Sequence, residues 1–270
     1  MRYIVVTTFN QKGYEKYGQR MIQTFLAQWP AHVQLVVYAE NCTVLESAPN
    51  LKVLDLHEAS TALVRFKDQW STVPKATGDV SDDPVRSQRK DAGKGFKWNA
   101  VRFAHKVYSI FHCAKHYACD WLIWMDADMV CHSPVTMPIL DQFCPLNRDL
   151  CYLGRVGKYS ECGLYAMNLN SKATRNFLTH FQQMYDDAEH GIFSLQEWHD
   201  SFVFDAVRSK HPLRTLDWSA NLIKGEGHPL INSGWGAYLD HLKGDRKEQG
   251  RSKSKDLKIK RSEPYWRQTQ

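Results

Sequence analysis

The sequence predicts an α/β domain with a mostly parallel central sheet. Two observations carry this. β-Branched runs of strand length alternate with a helically spaced segment through short joints, which is how parallel sheets are built. A mid-chain run, Trp121-Leu122-Ile123-Trp124-Met125, is too apolar to be a surface edge and leads straight into two carboxylates.

Tyr3 to Phe9 has strand length and β-branched composition, and the polar Asn10-Gln11-Lys12-Gly13 closes it. Tyr17, Met21, Phe25 and Trp29 repeat at helical spacing up to Pro30. Val33–Tyr38 and Leu51–Leu56 are expected as the second and third strands. Ligands of such sheets lie beyond the carboxyl ends of the strands. Thr7, Thr8 and Asn10 are therefore candidate nucleotide contacts, although an ordinary polar strand exit explains them equally well. From Phe66 to Gly95 the apolar periodicity disappears, so a flexible or functional loop is expected there. Phe96–Val107 is expected as a helix, with Trp98, Val101 and Val107 near one face and Lys97, Arg102 and Lys106 elsewhere. Leu150–Arg155 and Glu161–Leu169 are further strands, the second entered through Gly163, which leaves room for a close approach. Ser171 caps a helix that runs to Tyr185.

The 270 residues, 43% hydrophobic, suffice for one sizeable core, so one domain over residues 1–247 and a basic tail over 248–270 are expected. No run approaches the roughly 20 apolar residues of a membrane span. Met1–Val6 enters a strand without a signal-peptide pattern, so a cytoplasmic protein that does not engage membranes is expected. Seven cysteines without a Cys-x-x-Cys pair point to reduced core thiols.

Three constellations carry chemistry. Asp126 and Asp128, one residue apart at the end of an extended run, would share a face, and a divalent cation relieves their repulsion. Glu197-Trp198-His199-Asp200-Ser201 places acids and an imidazole among aromatics at a helix start, where dipole and desolvation oppose each other in setting a pKa. N-terminal helix capping accounts for the same acids. His241-x-x-Gly244-x-x-Lys247 offers an imidazole ligand, a glycine for backbone approach and a cation for a phosphate. From Lys243 onward the chain carries ten cations against four acids, so the whole formal charge of +6 sits there. Such a segment, with Tyr265 and Trp266 as stacking faces, favours a polyanion such as nucleic acid; a solvated tail without a partner is the plain alternative.

The Asp126-Ala127-Asp128 strand end resembles that of GT-A fold glycosyltransferases, and His241-x-x-Gly244-x-x-Lys247 is similar to the unit that closes the donor site of glycogenin-type enzymes. With Glu161-Cys162-Gly163 and Glu197–Ser201 in order between them, the set resembles the DNA-modifying glycosyltransferases of phages and the base J glucosyltransferase. The resemblance implies a single nucleotide-diphospho-sugar transferase domain. It implies Mn²⁺ or Mg²⁺ on Asp126, Asp128 and His241, with Gly244 and Lys247 at the donor diphosphate. Lys97 or Arg102 would supply a basic group to the donor, and Glu161 and Gly163 would line the sugar pocket. Asp200 would accept the acceptor proton, with Glu197 second and His199 third. The donor would be a UDP-sugar and the acceptor the hydroxymethyl group of a 5-hydroxymethylpyrimidine in DNA, flipped out or single-stranded, with inversion at the anomeric carbon. The Pro-Trp that often follows the glycogenin-type unit is replaced here by Glu248-Gln249. Rival expectations are a polysaccharide, lipid or protein acceptor, a non-catalytic nucleic-acid-binding protein, and a nucleotidyltransferase.

Overall fold

The computed structural model describes residues 1–222 and 228–267. Four parallel strands open the sheet: β1 (Tyr3–Asn10), β2 (Gln34–Glu40), β3 (Leu51–Asp55) and β4 (Trp121–Met125). β1 lies between β2 and β4, with Val5 opposite Leu35 on one side and Ile123 on the other. The sheet order is β3-β2-β1-β4-β7-β6-β8, where β6 is Leu150–Leu153, β7 is Glu161–Asn168 and β8 is Thr215–Asp217. β7 runs antiparallel to both β4 and β6.

Both faces of the central strands are covered, which is why they read as continuous apolar runs. Ile4, Val6, Leu122 and Trp124 face one apolar core with the helices Thr61–Trp70, Ala100–His116, Lys172–Asp186 and Asp200–Arg208. Tyr3, Val5, Trp121 and Ile123 face the other, with Phe25 from the helix Gln19–Gln28 and with Trp235 and Trp266. All seven cysteines are free thiols and six are buried. Among the described residues no helix is long and apolar enough to cross a membrane.

Three expectations need correction. Asp126 and Asp128 do not share the face of one strand. β4 stops at Met125, the Asp126 N–H turns to the carbonyl of Gly163 (2.8 Å), and the Met129 N–H closes a turn onto the Asp126 carbonyl (3.2 Å). Met129–Cys131 then forms β5, which pairs antiparallel with β9 (Leu239–His241) in a separate two-stranded ribbon.

The second correction concerns 66–95, which is not a free loop. Leu63, Phe66 and Trp70 are buried on the Thr61–Trp70 helix. The segment after Trp70 is tied down by Arg86, which donates to the Leu195 carbonyl (2.6 Å) and lies over the Trp198 ring. The third concerns residues 248–267, which pack back on the domain. Ser252 donates to Asp240 through its N–H (2.7 Å) and hydroxyl (2.6 Å), and the Tyr265 hydroxyl donates to the same carboxylate (2.8 Å). Trp266 is fully buried, with its indole N–H on the Gly236 carbonyl, and Tyr265 stacks on His132. Neither ring is free to stack on a base.

Candidate active site

A cleft of about 690 Å³ opens where β1, β4 and β7 meet the Ala100–His116 helix and the loop after β9. A smaller cavity of about 270 Å³ lies apart from it, beside Tyr152, Arg155 and Arg208.

The β5–β9 ribbon assembles the cleft's acidic floor. Its register sets Met129 opposite His241, so the imidazole arrives beside Asp128 although 113 positions separate the two in the chain. His241 Nε2 lies 3.0 Å from Asp128 Oδ1 and 3.7 Å from Asp126 Oδ2. The other oxygen of Asp128 accepts from Lys247 Nζ at 2.8 Å. Burial alone would raise the Asp128 pKa; His241 and Lys247 outweigh it and hold the carboxyl well below its ordinary value. Asp126 Oδ1 accepts from the Trp124 indole N–H (2.7 Å) and from Lys106 Nζ (3.2 Å), which leaves Oδ2 directed at His241. Asp126, Asp128 and His241 each offer one ligand atom, all within 4.8 Å of one another. Two carboxylate oxygens suit Mn²⁺ or Mg²⁺ and the imidazole favours Mn²⁺ of the two, so the residues fit an implied ion of this kind.

The carboxylates at 197–200 separate into different environments. Asp200, first residue of its helix, lines the cleft, and its Oδ2 accepts from Lys106 Nζ at 2.7 Å. Glu197 does not line the cleft. It accepts from Arg89 (2.9 Å), Lys97 (2.9 Å) and the Tyr159 hydroxyl (3.0 Å), with His199 Nε2 at 3.1 Å. Burial opposes its ionisation, but these partners hold its pKa below the ordinary value. His199 is buried and its Nδ1 caps the Asp200–Arg208 helix; burial lowers its pKa. Glu197 and His199 thus anchor the strap formed by 71–99.

Lys97 belongs to that strap as well, bonded to Asp91 (2.7 Å) and Glu197. The expected helix begins only at Ala100, and Gly95–Trp98 is a 3₁₀ turn before it. Arg102 lines the cleft. The basic group that reaches deepest from this helix is Lys106, a full turn beyond Arg102. Its Nζ touches Asp126, Asp200 and the Cys162 carbonyl, and lies over the Trp124 ring. Burial alone would favour the neutral amine, yet Asp126 and Asp200 hold its pKa well above the lysine range. The signal was present in the spacing of Arg102 and Lys106, which share a helix face at i, i+4.

Thr8 and Asn10 lie on the cleft wall, although Asn10 Oδ1 also caps the next turn (2.9 Å to the Gly13 N–H). Thr7 points the other way and is fully buried, as strand alternation requires. Gly163 does leave room for a close approach, but what occupies the room is protein: a Cβ there would lie 2.8 Å from His241 Nδ1. Glu161 is 3% exposed and ion-paired with Lys243. Gly244 has φ +61°, a left-handed conformation that favours glycine, and Lys247 follows it across the Tyr17 ring.

No protein-family model matches this sequence, and no curated protein matches it by sequence. Solved structures do match by shape. An active-site mutant of LgtC aligns over 99% of this chain and 100% of its own length at 10% identity, with a TM-score of 0.51. A glycosyltransferase involved in glycosylation of the major capsid of PBCV-1 aligns over 92% of this chain and 100% of its own, at 11% identity and a TM-score of 0.48. The bifunctional glycosyltransferase WbbM aligns over 81% at 10% identity and a TM-score of 0.48, and this chain spans 39% of its length. The likeness to LgtC shows the fold: this chain has the GT-A glycosyltransferase fold.

Proposed function

We propose that the cleft is the active site of a divalent-cation-dependent glycosyltransferase that moves a hexose from a UDP-sugar to a hydroxyl acceptor. The observation that carries this reading is the convergence of Asp126, Asp128 and His241 from the β4–β5 turn and β9 at the carboxyl end of the parallel strands. Bound there, Mn²⁺ or Mg²⁺ supplies Lewis-acid charge for the donor diphosphate. Lys247, already beside the triad, neutralises the departing UDP, and the Gly244 backbone approaches the diphosphate. Thr8, Asn10 and Arg102 hold the nucleotide end of the donor. Asp200 receives the acceptor proton from the far side of Lys106, and the sugar is inverted.

The acceptor in this proposal is the hydroxymethyl group of a 5-hydroxymethylpyrimidine in DNA. The resemblance in motif order supports it, as do the exposed Lys255, Lys258, Lys260 and Arg267. A second reading, a saccharide or protein acceptor, is favoured by the inward packing of Tyr265 and Trp266. Hydroxymethylated DNA and a glycan panel, each incubated with a set of nucleotide-sugars and Mn²⁺, separate the two by mass spectrometry. A hexose added to the modified base supports the first. Transfer to glycan alone establishes the second, and undiminished UDP release in EDTA removes the cation from both.

A further inference from the structure

Glu161 is the meeting point of four positively charged or N–H-bearing side chains. Lys243 is ion-paired to it, His228 Nε2 lies 3.7 Å and Arg155 3.8 Å from its Oε2, and His241 Nδ1 lies 3.7 Å from its Oε1. The Gly163 N–H also donates to Oε1 at 3.3 Å. His228 accepts from the Leu230 N–H through Nδ1 (3.3 Å), so its proton sits on Nε2, facing the carboxylate. Both oxygens of Glu161 therefore already face protein donors, although the residue also forms part of the cleft wall.

His241 Nδ1, the nitrogen turned away from Asp126 and Asp128, has no hydrogen-bond partner among the described residues, and the side chain is 1% exposed. A histidine that gives its Nε2 lone pair to a cation must carry its proton on Nδ1, and a buried N–H left without an acceptor is costly. Glu161 Oε1 is the acceptor facing that nitrogen. At 3.7 Å the contact acts through charge and is not a formed hydrogen bond. Gly163 completes the arrangement, because the ring stands where a side chain at 163 would be. The His228 ring meets His241 edge-on at 4.9 Å and limits its rotation from another side.

We propose that Glu161 is a positioning residue for His241: it selects the Nδ1–H tautomer and keeps Nε2 turned toward Asp126 and Asp128. This inference rests on the reading that the triad binds a divalent cation. It departs from the expectation that Glu161 holds the donor sugar.

Mn²⁺ titration by calorimetry and by electron paramagnetic resonance, together with ¹⁵N-histidine NMR of the protein loaded with diamagnetic Zn²⁺, in which Nε2 no longer donates to Asp128, tests it. Glu161→Gln is expected to weaken Mn²⁺ binding about 10-fold or more and to shift His241 away from the Nδ1–H tautomer, with cooperative melting retained. Glu161→Asp should recover part of the affinity. Lys243→Met, which leaves the carboxylate in place, should keep it; if Glu161→Gln does not fold, Glu161→Asp decides the matter, because it draws the carboxylate back from Nδ1 and wild-type affinity there would overturn the inference. Wild-type Mn²⁺ affinity in Glu161→Gln, with weaker binding of UDP-sugar but not of UDP, would overturn the inference in favour of a sugar contact. Loss of affinity in Lys243→Met equal to that in Glu161→Gln would overturn it too, since the charge network as a whole would then be responsible. Asp128→Ala is the control: Mn²⁺ binding that survives it removes the metal reading itself, which is a separate failure.

Discussion

Lys106 Nζ sits between two carboxylates that belong to different elements, 2.7 Å from Asp200 on one side and 3.2 Å from Asp126 on the other. One buried cation thus joins the acidic turn after β4 to the helix that faces it across the cleft. Removing it leaves Asp126 and Asp200 facing each other without the cation that joins them. Lys106→Met is expected to cost roughly 3–5 kcal/mol of stability, read as a lower urea midpoint, and to abolish UDP release. A stability loss under about 1 kcal/mol would show that water compensates the pair.

Gly163→Ala tests the ribbon's placement of His241. The new methyl would collide with the imidazole. Mn²⁺ affinity is expected to fall at least as far as it does on removal of the His241 side chain, with far-UV circular dichroism unchanged. Retained Mn²⁺ affinity combined with lost donor binding would place the sugar, and not the ring, against Gly163.

Asp149 provides a pH signature away from the cleft. The Arg214 side chain, held bidentately at 2.7 and 3.1 Å, lowers its pKa from 3.8 to about 2, and burial opposes the shift. Because the folded value lies below the unfolded one, the unfolded chain takes up the proton first as the solution is acidified. The pair's contribution is complete above about pH 4 and is lost as pH falls toward 2. Asp149→Asn should therefore be less stable than the wild type at pH 7, with the difference closing between pH 4 and 2. A difference that does not change across that window would mean that lost hydrogen-bond geometry, and not charge, accounts for the effect.

The C-terminal stretch is expected to behave as part of the domain. Trp266→Ala empties a fully buried indole site and should cost about 3–5 kcal/mol, seen as a lower melting temperature. A variant that melts like the wild type but loses affinity for DNA would restore the picture of a solvated tail.

Much of this was legible in the residues. The strands were, because burial on both faces writes β1, β2 and β4 as apolar runs. The acidic pair and the distant imidazole were legible as ligand types in a motif. Their union depends on the three-residue register of β5 with β9, which no local pattern encodes. The 66–95 segment misled because its order comes from long-range partners: Arg86 with the Leu195 carbonyl and Arg89 with Glu197 are 109 and 108 positions apart. Glu197 misled for the same reason. Among aromatics at a helix start it has the composition expected of a proton acceptor, but Arg89 and Lys97 from the strap, with the Tyr159 hydroxyl, turn it into an anchor. The tail was judged by its charge and by Tyr265 and Trp266 as stacking faces, which hid that Arg261 is buried against the carbonyls of Ile231 and Ser233.

Strand β9 holds Asp240 and His241 with their side chains on opposite faces. Asp240 is gripped by Ser252 and Tyr265, while its neighbour meets the acids of the cleft. The chain's final stretch is therefore a clamp on the strand that delivers the imidazole. A protease cut in the exposed run 258–260 should be felt at His241 long before it is felt in the sheet.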